Sequence, residues 1–244
     1  MNAEQGQVIS SLTARQELAI LLRLLAREGY DEHVAGHISY LQPDGTLLVN
    51  PFELLWEEVC ASDIMRVGSD GQFIEGKWTV SPAVRLHVEL HKVRHDVTVA
   101  IHNHSRWGTI WAGLGRIPRV YDQTSAFIAE EIAFIDEYGG SVHEESAARA
   151  IAEAVGDIGC ILLKNHGPLV IAGSIKQAHM RALALESRCR VAWHVEAVGG
   201  GTPMASVMAA GLNRVVDTVK MGALGHLWDM LVRRELRFDR SVLD

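Results

Sequence analysis

Two apolar runs in the chain each end close to histidine, and this pattern constrains both the fold and the chemistry. His102 and His104 follow the run at residues 97–101, and His166 follows the run at residues 160–165. Because residues i and i+2 of a strand point to the same face, His102 and His104 are predicted to present two imidazoles side by side. His166, at the end of another buried strand, is predicted to complete a three-histidine metal site with open positions for water or substrate.

The order of helix and strand signals predicts an α/β fold whose sheet is not purely parallel. Helices are predicted over residues 13–27, 83–95, 147–155 and 175–195. The first of these begins with a capping-box pattern at Thr13. Residues 34–40 and 46–50 flank the turn Pro43-Asp44-Gly45 and are predicted to form a hairpin. Because a hairpin pairs its strands antiparallel, we expect a mixed or antiparallel sheet with helices packed on it.

The length and composition of the chain are typical of one soluble domain. It has 244 residues, of which 48% are hydrophobic, enough to bury a full core. The flexible linker Gly199-Gly200-Gly201 is predicted to divide a domain at 13–198 from a C-terminal extension at 199–244, and residues 1–12 are predicted to be a loose tail. Two arrangements are open for the extension, which can pack on a neighbouring subunit or form a helix on its own core.

Charge and cysteine content argue against several functional classes. The formal net charge is −7 and no run rich in lysine or arginine occurs, so a nucleic-acid partner is not expected. No apolar stretch reaches the roughly 20 residues that span a bilayer, and no signal-peptide pattern occurs, so membrane association is not expected. Cys60, Cys160 and Cys189 are widely spaced in apolar contexts, which predicts reduced thiols in a cytoplasmic protein. Nitrogen and oxygen atoms are then the expected metal ligands.

Several segments, taken in order along the chain, resemble one known family. They are residues 50–63 (Asn-Pro-Phe-Glu-Leu-Leu-Trp-Glu-Glu-Val-Cys-Ala-Ser-Asp), Leu86-His87, residues 94–97 (Arg-His-Asp-Val), residues 102–104 (His-Asn-His) and residues 162–167 (Leu-Leu-Lys-Asn-His-Gly). In combination they resemble the class II aldolase/adducin family over about residues 14–200. The resemblance implies an α/β/α sandwich around a mostly antiparallel sheet and a homotetramer with active sites at subunit interfaces.

The same resemblance implies a divalent metal held by His102, His104 and His166. An all-nitrogen site suits zinc, manganese, iron or cobalt, so these are the expected cofactors. Adducins keep this fold without the metal chemistry and lack the histidine set, whereas this chain retains all three residues. The resemblance therefore favours an enzyme, and a non-catalytic adducin-like interaction module is the alternative from another class.

Two departures from the sugar-phosphate aldolases of the family narrow the expected chemistry. Those enzymes carry Ser-Ser-Glu shortly before the Leu-His pair, and this chain has Ser81-Pro82-Ala83 there. The Gly-Asn-x-Ser segment that helps cradle phosphate in those aldolases occurs here as Gly36-His37-Ile38-Ser39. Since alanine cannot move a proton, retro-aldol cleavage of a sugar phosphate loses its acid/base residue and part of its anion cradle.

Decarboxylation is the reaction that survives these losses. It needs no base to abstract a carbon proton, but it needs an acid that delivers one afterwards, and His37 is the predicted proton donor. Arg85 is predicted to pair with a substrate carboxylate, and Ser81 and Tyr121 are predicted to border the substrate. For His37 a hydrogen bond within its own turn, and for Arg85 a surface location, are the structural alternatives.

Branches of the superfamily that decarboxylate hydroxylated aromatic or ring-opened dicarboxylic acids in bacterial catabolism are similar in carrying Gly-His-x-Ser without Ser-Ser-Glu. The chain is therefore predicted to be a metal-dependent carbon–carbon lyase, a decarboxylase of an aromatic or unsaturated hydroxy- or oxo-(di)carboxylic acid. The enzymatic alternative is an aldolase that acts on a non-phosphorylated hydroxy-keto acid. A further branch, which binds iron and activates oxygen with a comparable histidine set, is also left open.

Overall fold

A computed structural model describes residues 9, 11–30, 36–136, 145–219 and 225–244. The helices are α1 (Ala14–Arg27), α2 (Val84–Val93), α3 (Arg106–Leu114), α4 (Gln123–Ala126), α5 (Glu145–Ala154), α6 (Ile175–Ala197), α7 (Ser206–Val219) and α8 (Gly225–Phe238). The strands are β1 (His37–Leu41), β2 (Leu47–Val49), β3 (Met65–Val67), β4 (Phe73–Glu75), β5 (Val99–His102), β6 (Ile132–Ile135), β7 (Cys160–Leu163) and β8 (Gly167–Ala172). Short 3-10 helices span Ala61–Asp63 and Arg240–Leu243.

The strands form one sheet in the order β4-β3-β2-β1-β5-β8-β7-β6. Neighbouring strands pair antiparallel throughout, except that β6 pairs parallel with β7. The predicted hairpin is β1 and β2, joined through Gly45, whose φ of +82° is the left-handed conformation that glycine adopts readily. The predicted mostly antiparallel sheet is confirmed.

Helices cover both faces of the central strands. One apolar layer contains α1, α6 and the residues Val99, Ile101, Cys160, Leu162, Val170 and Ala172. The opposite layer contains α2, α5 and the alternate residues Ala100, Ile161, Leu163, Leu169 and Ile171. Because successive side chains of a strand point to opposite faces, β5, β7 and β8 can be apolar throughout only when each face is covered. The predicted α/β/α sandwich is therefore confirmed.

Helix ends follow the local signals in the sequence. The Thr13 hydroxyl accepts a hydrogen bond from the Gln16 backbone N–H at 3.3 Å, and the Gln16 side chain accepts one from the Thr13 N–H at 3.0 Å. These reciprocal bonds are the predicted capping box. Ser174 caps α6 in a similar way. The helix predicted at 83–95 is shorter at both ends, since α2 spans Val84–Val93.

The C-terminal helix α8 packs on α1 of its own chain. Trp228 and Val232 are buried in the layer that contains α1, and Glu235 is completely buried. The Glu235 carboxylate accepts hydrogen bonds from Arg27, and the nearest Arg23 nitrogen lies 4.0 Å away. This chain thus buries at least part of its predicted extension on its own core, and a contact of residues 199–244 with a neighbouring subunit stays a prediction.

Most of the predicted tail, residues 1–8 and 10, lies outside the described residues. Across the described ranges, no helix combines the length and the apolar character needed to cross a membrane. The cytoplasmic location stays a prediction.

Candidate metal centre

Three histidines from two loops and one strand end meet at one edge of the sheet. His102 is the last residue of β5, His104 lies two residues beyond it, and His166 lies in the turn between β7 and β8. The ring centroids are 4.5 Å apart for His102 and His166, 4.9 Å for His104 and His166, and 5.6 Å for His102 and His104. One ring nitrogen from each lies within 4.8 Å of the other two. The prediction that His104 lies in the strand is wrong, because β5 ends at His102.

Antiparallel pairing explains why these histidines meet. In the β5–β8 ladder His102 lies opposite Leu169, so the end of β5 lies beside the start of β8. His166 comes directly before β8, and the preceding Asn165 has a φ of +53°, which tightens the turn. His102 and His166, which are 64 residues apart in the sequence, thereby come close in space. Their Nε2 atoms are 3.2 Å apart.

Gly167 permits the close approach of these two segments. A Cβ atom at Gly167 would lie within 2.5 Å of the Asn103 carbonyl oxygen and 3.1 Å from Cδ2 of His104. A backbone oxygen cannot rotate away from such a clash as a side chain can. Glycine at position 167 therefore allows the two backbones to approach each other this closely.

The protonation of the histidines suits cation binding. The Nδ1–H of His102 donates to the Pro168 carbonyl at 3.0 Å, which leaves the lone pair of the neutral ring on Nε2. Burial, with smaller effects from three neighbouring imidazoles, holds the pKa of His102 well below its usual range. Burial and then His104 lower the pKa of His166 to about 4. Metal-binding histidines commonly donate their second N–H to a carbonyl in this way, so the three residues fit a divalent ion.

Glu186 of α6 secures the corner that follows His104. Its carboxylate accepts hydrogen bonds from the Ser105 hydroxyl at 2.8 Å and from the backbone N–H groups of Trp107 at 2.8 Å and Gly108 at 3.0 Å. These N–H groups belong to the first turn of α3, where no residue within the helix can accept them. The carboxylate therefore fixes the start of α3 directly behind the histidine pair. Sequence reasoning missed this residue.

His37 lies beside the metal centre. It opens β1, pairs with His102 across the ladder, and its ring centroid is 4.9 Å from that of His102. His37 Nδ1 lies 2.6 Å from Nε2 of His87, so its hydrogen bond reaches helix α2. The structure thus brings the predicted proton donor next to a predicted metal ligand, and His87 of α2 contacts that donor. The donor role of His37 stays a prediction.

The residues predicted to bind substrate lie farther apart. Arg85 is exposed on α2 and lines a shallow pocket of about 290 Å³ together with Ser81 and Gln72. None of the three histidines His102, His104 and His166 is among the described residues that line this pocket. Tyr121 is half-buried before α4, near Gly201. The substrate contacts predicted for Arg85, Ser81 and Tyr121 stay predictions.

A larger cleft, of about 440 Å³, lies at the start of α3. Its lining includes Arg106, Trp107, Phe127 and Arg190. Arg106 follows His104 by two residues in the sequence, and its guanidinium lies 5.6 Å from the Trp107 ring centroid. This arginine and Arg85 thus occupy different pockets.

Comparison with known proteins identifies the family. The sequence profile of the class II aldolase and adducin N-terminal domain matches residues 16–193. The chain belongs to the class II aldolase/adducin family. The 3,4-dihydroxyphthalate decarboxylase of Arthrobacter keyseri is 31% identical over 210 residues, which cover 80% of this chain and 85% of that protein. The predicted resemblance to this family and to its decarboxylases is confirmed.

Other relatives in the class II aldolase/adducin family differ in chemistry. A 4-hydroxy-3-prenylphenylpyruvate oxygenase/4-hydroxy-3-prenylbenzoate synthase of Streptomyces roseochromogenus is 29% identical over 78% of this chain and 71% of its own length. The structure of L-fuculose 1-phosphate aldolase from Glaciozyma antarctica superposes with a TM-score of 0.80 at 25% identity, covering 91% of this chain and 89% of that one. The aldolases and decarboxylases among these relatives are lyases, and dependence on a divalent metal is general among class II aldolases.

Proposed function

We propose that this protein is a divalent-metal-dependent decarboxylase of an aromatic or unsaturated hydroxy- or oxo-(di)carboxylic acid, with a role in the catabolism of aromatic compounds. The observation that carries the proposal is the three-histidine donor set with the buried His37 beside it and Ala83 where the sugar-phosphate aldolases have an acid/base residue. We further propose that the protein is cytoplasmic and forms a homotetramer. Sedimentation of the purified protein tests the homotetramer.

The metal is assigned to His102, His104 and His166, with zinc, manganese, iron or cobalt as the candidate ions. A divalent ion in this position supplies Lewis-acid stabilisation of the negative charge that develops on a chelating substrate oxygen. The lowered pKa values of His102 and His166, about 4 for His166, keep both rings neutral near neutral pH, so their lone pairs are available for such an ion.

The start of α2 is unsuited to abstracting a carbon proton. Ala83 precedes the first residue of α2, and its backbone N–H donates to the Ser81 hydroxyl at 3.3 Å. The Ala83 side chain is a methyl group, which neither accepts nor donates a proton. This position therefore lacks the carboxylate on which such a retro-aldol reaction depends. Decarboxylation does not require a carboxylate here.

Decarboxylation breaks the bond between the carboxylate carbon and the adjacent carbon. The electron pair of that bond remains on the substrate carbon and is delocalised towards its hydroxyl or oxo oxygen. One proton must then be added to the carbon. We assign this proton delivery to His37, because it is the buried imidazole next to His102 that the metal does not require.

Arg85 is assigned to a second substrate carboxylate. It lies in the first turn of α2, beside Leu86, which is buried in the same apolar layer as Ala100 of β5. Arg85→Met is expected to raise KM for a dicarboxylate, and Arg85→Lys to restore part of the affinity. Arg106→Met, in a different pocket, is the matched control. An unchanged KM in Arg85→Met, with a raised KM in Arg106→Met, would transfer the role to Arg106.

The decisive experiment assays purified protein, loaded in turn with each candidate metal, against a panel of hydroxy-aromatic acids and hydroxy-keto acids. Release of CO2 with loss of activity in His102→Ala and His166→Ala is the expected result, while His95→Ala, at an exposed histidine, retains activity. Release of pyruvate without CO2 supports the aldolase alternative, and oxygen consumption supports the oxygenase branch. Absence of metal binding and of turnover supports an adducin-like interaction module.

A further inference from the structure

A chain of hydrogen bonds runs through the interior from β1 to the loop before β5. His91 Nδ1 lies 3.2 Å from the Val97 carbonyl oxygen, and His91 Nε2 lies 2.9 Å from the Ser39 hydroxyl. The same hydroxyl lies 2.7 Å from His87 Nδ1, and His87 Nε2 lies 2.6 Å from His37 Nδ1. All four side chains are buried. We call His91, Ser39, His87 and His37 the histidine relay.

Secondary structure places the members of the histidine relay in line. His87 and His91 are four residues apart in α2 and therefore lie on one helix face. His37 and Ser39 are two residues apart in β1 and therefore point to the same face of the sheet. That face is the one towards α2, so the relay fills the space between helix and sheet with polar groups that bond one another.

The Val97 carbonyl sets the direction of every bond in the relay. A carbonyl oxygen only accepts, so His91 must donate from Nδ1, and the neutral ring then accepts at Nε2. The Ser39 hydroxyl must therefore donate to His91, which leaves its oxygen to accept from His87 Nδ1–H. His87 then accepts at Nε2, and the donor to it is His37 Nδ1–H.

Burial supports the neutral rings on which this direction depends. It lowers the pKa of His91 to about 4, an effect that the bond to Val97 partly opposes. Burial, followed by the neighbouring His91 and His102, also holds the pKa of His87 well below its usual range. The reverse direction would set a lone pair of His91 against the Val97 carbonyl oxygen. Two buried acceptors that face each other are unfavourable, because both have lost their hydrogen bonds to water and neither gains a donor.

We propose that Ser39 and His91 are positioning residues that act through His87 to hold His37 as its Nδ1–H tautomer, with the lone pair of the neutral ring on Nε2. The tautomer follows from the hydrogen bonds alone. Its importance for turnover rests on the proposed function, in which the lone pair of His37 Nε2 first takes up the proton of the substrate hydroxyl or one from solvent and then delivers it to the substrate carbon. Groups that orient a site residue in this way typically contribute roughly 10- to 100-fold to activity.

The tautomer can be measured by ¹⁵N NMR of histidine-labelled, full-length, zinc-loaded protein at mildly alkaline pH. Imidazole ¹⁵N shifts distinguish a protonated from an unprotonated nitrogen, and His37→Gln identifies the His37 signals by their loss. Wild-type protein is expected to show His37 protonated at Nδ1 only. Ser39→Ala is expected to give a mixture of tautomers, and Ser39→Thr, which keeps the hydroxyl, is expected to restore the single form.

Ser125→Ala is the matched control, because it removes another buried hydroxyl at a site outside the histidine relay. It is expected to leave the His37 signals unchanged. Protonation of His37 at Nε2 in wild type, or an unchanged tautomer in Ser39→Ala, would overturn the proposal. Should Ser39→Ala fail to fold, the wild-type spectrum and Ser39→Thr still decide the direction of the relay.

Kinetics separates the histidine relay from the proposed reaction. With a substrate that turns over, Ser39→Ala is expected to lower kcat roughly 10- to 100-fold with little change in KM, and Ser39→Thr to recover most of it. Failure of every substrate would overturn the proposed function while the NMR result stood. A wild-type kcat in Ser39→Ala, together with a mixed tautomer, would overturn the catalytic importance of the relay.

Discussion

Replacing Gly167 with alanine tests the close approach that brings the metal-binding histidines together. The added Cβ would lie within 2.5 Å of the Asn103 carbonyl oxygen, 3.1 Å from Cδ2 of His104 and 3.3 Å from Cα of His104. The first and last of these atoms belong to the backbone. Relief therefore requires the start of β8 and the segment after β5 to move apart, and each of them carries part of the histidine set.

The size of the movement follows from the geometry. Cβ atoms essentially never approach another heavy atom within 3.0 Å, so the segments must separate by at least about 0.5 Å. That is the tolerance of roughly 0.5 Å within which a functional site must hold its groups. Overpacking of this kind costs about 1–3 kcal/mol of unfolding free energy. Displaced ligands are expected to weaken metal affinity by roughly 10- to 100-fold.

Two measurements check this expectation. Calorimetric titration of the metal-free protein with Zn²⁺ gives the affinity, and urea unfolding of the same samples gives the free energy of unfolding. Gly113→Ala is the matched control, because nothing lies within 4 Å of a Cβ at that position in α3. It is expected to raise stability by up to about 1 kcal/mol. Wild-type affinity and an unchanged urea midpoint in Gly167→Ala would refute the reasoning.

Three further predictions concern stability. Burial, followed by Arg234, lowers the pKa of His179 to about 4 in the folded protein. Because the unfolded chain binds a proton at this residue more readily, the free energy of unfolding is expected to fall by about 2 kcal/mol as pH falls from 8 to 5. His179→Leu should flatten that part of the profile of urea midpoint against pH; an unaltered profile would contradict the assignment. Glu186→Ala removes the acceptor for three donors at the start of α3, so it is expected to lower the free energy of unfolding by about 1.5–3 kcal/mol. It is also expected to weaken Zn²⁺ binding in calorimetry. Wild-type Zn²⁺ affinity in this variant would show that Glu186 does not support the histidine pair. Glu235→Ala removes the buried carboxylate that accepts hydrogen bonds from Arg27, while Arg23 keeps its bond to Asp239 at 2.7 Å. The change is expected to cost about 1.5–3 kcal/mol and to speed proteolysis of α8. Arg234→Ala, which breaks a more exposed pair, should cost about 1 kcal/mol or less. Equal losses in the two variants would show that burial of the carboxylate is unimportant.

Local signals in the sequence are sufficient to predict a structural feature where both partners of the interaction are close in the chain. The cap residues Thr13 and Ser174 bond backbone groups three residues away, so the starts of α1 and α6 could be predicted from a few letters. The turn at Gly45 is similarly local. The end of β5 was predicted less well, because nothing within the segment His102-Asn103-His104 shows that the chain leaves the sheet after the first histidine.

Groups that support the site were beyond such reasoning because their partners are distant in the chain. Glu186 lies 81 residues from Ser105, and Ser39 lies 52 residues from His91. No spacing rule links positions like these, and each residue type alone is common on protein surfaces. The histidine set could be predicted because His102 and His166 each follow an apolar run, and the family resemblance supported joining His166 to the His102 pair. The hydrogen-bond partners that orient these rings required the fold.

The contact between α1 and α8 has a consequence for how the chain is made. Arg27 and the carboxylate of Glu235 that accepts its hydrogen bonds are 208 residues apart. At a synthesis rate of roughly 5–20 residues per second, Arg27 leaves the ribosome about 10–40 s before its partner. During that interval the apolar face of α1, with Leu18, Leu21 and Leu25, has no α8 to cover it. The α1 layer is therefore completed only at the end of synthesis, after more than 200 further residues have followed Arg27.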